Sequence, residues 1–259
     1  LLSSGHPGGT LAPLAGTAEA RLEMRLFIVS FHLPVMLWRD EGTGRWKASW
    51  NRDNLIAKAE SSVADDHEVL WIGGVTPHCL RGGLKEGENP FGFDGPTKEE
   101  ITEVLRTMSC VPIFLDSTVY EQHYNRFCKK KLWKLFHNVL DVNDELGDGL
   151  ESDDVYTAYD GYAKLNALFA DAVLGRLSAS AREEAEQAAA LQLQADVEGE
   201  EDHFALPVRL SCVWVHDYHL MLLPNMITSE DRLARFGLAA RPRVVFFLHL
   251  PFPTSEIFR

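Results

Sequence analysis

Short apolar runs rich in β-branched and aromatic residues recur along the chain at Arg25 to Ser30, Glu68 to Gly73, Val111 to Leu115, Leu210 to His216 and Val244 to Leu250. Each is nearly continuous rather than alternating, the pattern of strands covered on both faces. Between them the period lengthens to that of helices at Thr97 to Met108, Ser117 to Lys130, Lys131 to Val139 and Asp154 to Leu177. Strands alternating with helices predict an α/β fold, a Rossmann-like doubly wound and mostly parallel sheet.

Two stretches break the pattern. Ser178 to Leu206 carries Ala, Glu and Gln repeats and then Glu198-Gly199-Glu200-Glu201-Asp202, which predicts an insertion (178–206) made of an exposed helix running into an acidic loop. Arg81 to Pro96 holds Gly82, Gly83, Gly87, Gly92 and Gly95 without the spacing of a phosphate-cradling motif, so it reads as a punctuating loop. Residues 1–24 begin at Leu1 and are small and Gly/Pro-rich, without the basic and apolar regions of a secretory signal. They are expected to be a flexible leader before a domain spanning 25–259. The chain ends at Arg259 where a further helix should be starting, so a longer protein is expected.

Composition narrows the function classes. A formal charge of -13 over 259 residues argues against nucleic-acid or anionic-membrane partners, while leaving room for a local anion site. Cys79, Cys110, Cys128 and Cys212 are widely spaced with no C-x-x-C, which points to neither a disulfide framework nor a zinc knuckle and fits a reducing, cytoplasmic setting. No apolar stretch approaches the roughly 20 residues of a membrane-spanning helix.

Candidate chemistry gathers where two strands stop, at Val213-Trp214-Val215-His216-Asp217-Tyr218-His219 and at Phe246-Phe247-Leu248-His249-Leu250-Pro251-Phe252-Pro253. In open α/β sheets ligands bind at the carboxyl ends of strands. Asp217 stands where either a helix-capping or a ligand-binding carboxylate would stand, and both roles use the same oxygens. Metal ligation by His216, His219 and His249 is another reading, although H-x-x-H spacing needs a regular helix and this segment straddles a strand end. Pro251 and Pro253 deny helix until Thr254-Ser255-Glu256, so His249 is expected on a stiff loop, a packed core histidine being the alternative. Tyr124 and Trp133 lie nine residues apart, about 180° on one α-helix, and could share a pocket only if the chain bends between them. Otherwise both are packing aromatics.

Three of these segments carry a family resemblance: Trp214-Val-His-Asp-Tyr-His-Leu-Met-Leu-Leu-Pro, Phe246-Phe-Leu-His-Leu-Pro-Phe-Pro-Thr-Ser-Glu-Ile-Phe-Arg, and Tyr124-Asn-Arg-Phe through Leu132-Trp-Lys-Leu-Phe-His. Weaker matches are Arg25 to Pro34, Val69 to Gly73, Cys110 to Leu115 and Tyr159 through Asn166 to Asp171. Together they resemble the trehalose-6-phosphate synthase family, retaining glycosyltransferases of the two-domain GT-B type, over about Arg25 to Arg259. The resemblance implies the N-terminal GT-B domain, with the C-terminal GT-B domain absent from this chain. It implies transfer of glucose from UDP-glucose to glucose 6-phosphate with retention, no cofactor and no metal. Tyr124, Trp133 and Asp217 would belong to the glucose 6-phosphate pocket and His249 would contact the donor sugar, with Asp217 and His249 the catalytic pair. Homo- or hetero-oligomers with other synthase-family subunits would be its partners.

The chain departs from that family at its first edge. Ser30-Phe31-His32 stands where Ser-Asn-Arg is usual, Trp38 to Trp50 replaces a Gly-Gly loop, and Gly74 takes the place of an aromatic. Losing an Arg removes a charge-assisted phosphate contact that neutral His cannot supply. Lys129-Lys130-Lys131 offers charge nearby but reads as a solvated face. The pattern is closer to divergent synthase-like proteins, often fused to a phosphatase-like domain, so a catalytically silent sugar-phosphate sensor is the first alternative. A dinucleotide-dependent oxidoreductase is disfavoured, because no Gly-rich fingerprint follows Arg25 to Ser30. The isolated 259 residues are expected not to catalyse transfer.

Overall fold

In a computed structural model, which describes residues 24–54, 56, 67–82, 89–137, 152–198 and 210–250, the chain forms strands β1 (Met24–His32), β2 (Val35–Arg39), β3 (Trp46–Trp50), β4 (Glu68–Val75), β5 (Cys110–Phe114), β6 (Leu210–His216) and β7 (Arg243–Phe247). Five of them make one sheet in the order β5-β4-β1-β6-β7, every neighbouring pair parallel. This is the α/β sheet expected from the alternation of runs. Crossovers from β1 go to β4 and β5 on one side and β6 and β7 lie on the other, so the order reverses between β1 and β6. At such a switch point the loops at the strand ends diverge and leave a crevice.

The continuous apolar run of β1 is explained by two cores, one on each face, whereas β7, also expected to be covered on both faces, leaves Val245, Phe246 and Phe247 exposed. Phe27, Val29 and Phe31 of β1 pack with helix residues such as Tyr162, Leu165 and Phe169, while Leu26 and Ile28 pack with Leu37, Trp46, Ile101 and Leu105. Successive side chains of a strand point to opposite faces, which is why neither parity of β1 can be polar.

Helix α1 (Gly95–Arg106) opens on Asp94, whose carboxylate accepts from the Thr97 amide at 2.9 Å. Helix α2 runs without interruption through Ser117–Tyr120, Glu121–Trp133 and Lys134–Phe136, its middle segment in wide i→i+5 turns. Two helices meeting at Lys130-Lys131 were expected; lysines are good helix formers, and the run does not end the helix. Helix α3 (Ser152–Glu198) passes the expected end at Leu177 into the expected insertion, because Ala, Glu and Gln sustain helix and no Gly or Pro stops it there. Its first part is buried by Tyr162, Leu165, Phe169, Val173 and Leu174, and Glu184 still reaches back to Arg25 at 3.2 Å. One 3-10 turn at Tyr218–Leu220 and the short helices α4 (Leu223–Ile227) and α5 (Glu230–Arg235) follow β6.

The segment Trp38 to Trp50, which stands where the resemblance implies a Gly-Gly loop, is regular structure. It belongs to the antiparallel hairpin β2–β3, which lays Leu37 and Trp46 on the core under α1. No helix among the described residues is long and apolar enough to cross a membrane. The expected leader (all but Met24), the acidic loop beyond Glu198 and the prolines after Leu250 lie outside the described residues.

Candidate functional site

β1 does not end smoothly. Its register with β4 pairs Ser30 with Gly73 and then His32 with Gly74, so Phe31 is an extra residue in the ladder. A bulge of this kind re-aims side chains at a sheet edge, and two glycines admit it. A Cβ on Gly73 would sit 2.8 Å from the Ser30 carbonyl oxygen and one on Gly74 would sit 2.7 Å from that of Phe31. The aromatic expected at position 74 therefore has no room here.

The bulge delivers Phe31 to the centre of a ring cluster at the switch point. Its centroid lies 4.6 Å from His123, 5.4 Å from Tyr124 and 5.2 Å from His219, the last nearly parallel. His32 turns beside it, hydrogen-bonded through Nδ1 to Thr76 Oγ1 at 2.7 Å and packed 4.4 Å from His78. Tyr124 completes the edge, its hydroxyl 3.2 Å from His78 Nε2.

Asp217, just past β6, adopts φ 72° and ψ 165°, a conformation nearly confined to glycine that costs of order 1–3 kcal/mol in other residues. The surroundings hold it there. The Asp217 amide donates to the Phe247 carbonyl at 2.8 Å, tying the turn to β7. Tyr162 Oη donates to the Tyr218 carbonyl at 2.7 Å and accepts from the Met221 amide at 3.0 Å. The His219 carbonyl is met by His123 Nε2 at 2.9 Å and Asn166 Nδ2 at 3.2 Å. His123, Tyr162 and Asn166, on α2 and α3, thus clamp a strained turn from below. Tyr162 and Asn166 fall in a stretch that the resemblance covers without giving them a role, and His123 in none; the signal in the sequence is polar residues on otherwise apolar helical faces.

The strain presents a carboxylate. Asp217 Oδ1 accepts from the Tyr218 amide at 3.0 Å, and Oδ2 stands 3.6 Å from His219 Nδ1. Burial works to raise its pKa, but His219 and the Tyr218 amide outweigh it and hold the carboxyl below its ordinary value. Asp217 is therefore ionised at neutral pH. Around it the imidazoles of His32, His78 and His123 are held neutral. Burial pushes His32 well below its ordinary value, with His219 and His78 adding to the effect, lowers His78 and takes His123 to about 3. Burial likewise raises Tyr124 and keeps its hydroxyl protonated. It also drives Cys128 well above its ordinary value, so the Cys128–His123 contact of 3.8 Å is not a nucleophile–base pair, which would need the thiolate.

His249 lies two residues past β7 and is exposed, which removes the packed-core alternative. Its Nε2 is 2.9 Å from His216 Nδ1 and the rings stack at 5.2 Å. Burial first and His249 second take His216 to about 4, so this contact links neutral His216 to His249. The trio weighed as metal ligands is split, since His219 packs instead on Phe31 and Tyr218. Among the described residues no group of three or more His, Cys, Asp and Glu is placed to hold a metal ion.

Tyr124, Asp217 and His249 thus stand at the carboxyl edge, Tyr124 joined to Asp217 through His219, whose ring is 5.7 Å from that of Tyr124. Trp133 is not brought to them. It is 42% exposed and stacks on His137 at 4.2 Å. A cluster of rings, an ionised carboxylate, phenol and imidazole groups suit a ligand with many hydroxyls: ring surface meets its apolar faces while the polar groups exchange hydrogen bonds.

The family model of glycosyltransferase family 20 matches residues 24–181 and 209–259. The probable alpha,alpha-trehalose-phosphate synthase [UDP-forming] 9 of Arabidopsis thaliana is 30% identical over 236 residues, covering 91% of this chain and 21% of the relative. The alpha,alpha-trehalose-phosphate synthase [UDP-forming] A of Dictyostelium discoideum is 30% identical over 245 residues, covering 93% of this chain and 24% of its own. This chain therefore spans about a fifth to a quarter of the length of those relatives. A solved Escherichia coli structure, described as trehalose-6-phosphate bound with UDP-2-fluoro glucose, is 21% identical with a TM-score of 0.44, covering 90% of this chain and 35% of that one.

Proposed function

The chain belongs to glycosyltransferase family 20, and from that membership we propose that it supplies the acceptor side of a trehalose-6-phosphate synthase that transfers glucose from UDP-glucose to glucose 6-phosphate with retention. In this reading residues 25–259 are the N-terminal half of a GT-B enzyme working in a reducing cytoplasm, and a second Rossmann-like domain holds the nucleotide. The anomeric hydroxyl of glucose 6-phosphate attacks C1 of the donor glucose on the face that UDP leaves. The C–O bond to UDP breaks as the new one forms, and the acceptor's proton passes to the departing phosphate oxygen. The protein's contribution is orientation and charge stabilisation. Asp217 accepts hydrogen bonds from acceptor hydroxyls, Tyr124 packs beside the sugar, and His249, braced by His216, donates to or accepts from the donor sugar. Trp133 joins the acceptor pocket only when its exposed ring turns inward with ligand.

The observation that carries this reading is Asp217: an ionised carboxylate held at a costly backbone conformation at the switch point of the sheet. Strain maintained by three buried side chains is more than a helix cap requires. The test is release of UDP from UDP-glucose by the full-length protein, with and without glucose 6-phosphate, and NMR of the product. The proposal expects UDP release that depends on glucose 6-phosphate and an α,α-linked product. Binding of glucose 6-phosphate with no UDP release would contradict it and leave a sugar-phosphate sensor.

A further inference from the structure

The cluster at the switch point is lined by phenyl, phenol and imidazole rings and one carboxylate, and a sugar phosphate brings a phosphate group of about two negative charges at neutral pH. A chain of formal charge -13 repels that group at long range, so its capture needs a local cation. One reaches the cluster. Lys129 on α2 sets its ammonium 4.5 Å from the centroid of the Tyr124 ring, the ring whose hydroxyl touches His78 and whose edge faces His32 at 5.2 Å. Its charge is felt at both His32 and His78, where it helps to keep the imidazoles neutral. Among the described residues no carboxylate pairs with Lys129, whereas Arg126 on the same helix has Glu121 at 3.9 Å. The side chain is exposed and free to move toward an anion.

Resting on the acceptor reading above, we infer that Lys129 is the phosphate anchor of the site: with Asp217 taking the sugar hydroxyls at one end of the ring cluster, the ammonium takes the phosphate at the other. Lys129 is thereby separated from Lys130, which is exposed and makes no contact with the cluster. The ammonium acts as a movable point charge rather than a bidentate fork, so arginine should replace it in part and an apolar side chain should not.

The experiment titrates glucose 6-phosphate and glucose into the full-length protein and its Lys129→Met, Lys129→Arg and Lys130→Met variants. Loss of one charge-assisted contact is worth about ten- to a hundredfold in affinity. Lys129→Met should lose that much for glucose 6-phosphate and nothing for glucose, Lys129→Arg should stay within a few-fold of wild type, and Lys130→Met should match wild type. If wild type prefers glucose 6-phosphate to glucose and Lys129→Met keeps that preference, the anchor is overturned and the acceptor reading survives. If wild type does not bind glucose 6-phosphate, both fall.

Discussion

Asp217 concentrates the argument at the scale of single residues, because its backbone and its side chain make opposing demands. Replacement by Gly relieves about 1–3 kcal/mol of conformational strain and loses about 1 kcal/mol with the Tyr218 amide bond, so its stability should stay near wild type. Replacement by Ala loses the same bond and keeps the strain. Asp217→Ala should therefore be less stable than Asp217→Gly by about 1–3 kcal/mol in urea denaturation, with sugar-phosphate binding lost in both; equal stabilities would show that the turn is not strained. The buried histidines make a second prediction. His123, with a folded pKa of about 3 against an ordinary 6.5, binds its proton more readily when unfolded, as does His216 at about 4. Stability should therefore fall as pH drops through about 6.5 toward 3, and the contribution of Asp217, whose pKa is lowered, is lost below the carboxylate range in the same direction. His123→Gln should flatten the dependence of Tm on pH between 7 and 5, and an unchanged slope would contradict the assignment. The place of Asp217 and His249 at strand ends was legible in the sequence because each closes an apolar run. His123, Tyr162 and Asn166 were not, since their partners are turn carbonyls 53 to 96 residues away.

Among the elements, the β1–β4 edge positions the site. Gly74→Ala places a methyl group against the Phe31 carbonyl and must move either the bulge or β4. We expect a loss of about 1–3 kcal/mol, the usual cost of overpacking, together with weaker sugar-phosphate binding, because Phe31 and His32 take their direction from the bulge. A Gly74→Ala protein that unfolds at the wild-type urea midpoint would show that this approach is not tight. The five strands of the sheet were legible from their continuous apolar runs; β1 is buried on both faces, whereas β7 keeps its apolar run although most of it is exposed. The hairpin β2–β3 was not: its strands are five residues long and partly exposed, and the aromatics that anchor it sit among charges. The unity of α2 was obscured by its lysines, which look like a solvated boundary yet carry the helix on toward Phe136. Trp133 stacks on His137, outside the cluster that Tyr124 enters.

For the molecule as a whole, alternation of strands and helices was enough to predict the sheet but not its order. The order β5-β4-β1-β6-β7 brings together the ends of β1 and β6, which are far apart in sequence and alike only in their apolar character. α3 runs in a single helix from the domain into the stretch expected to be an insertion. Placement of the acceptor at the switch point is the central claim, and imidazole resonances report on it directly. In a titration of the full-length protein with glucose 6-phosphate, long-range ¹H–¹⁵N spectra of the side chains should show His32, His78 and His219 shifting together and saturating. His67, beside the opposite end of β4, should stay fixed. Saturable binding that leaves all three unmoved would contradict the account.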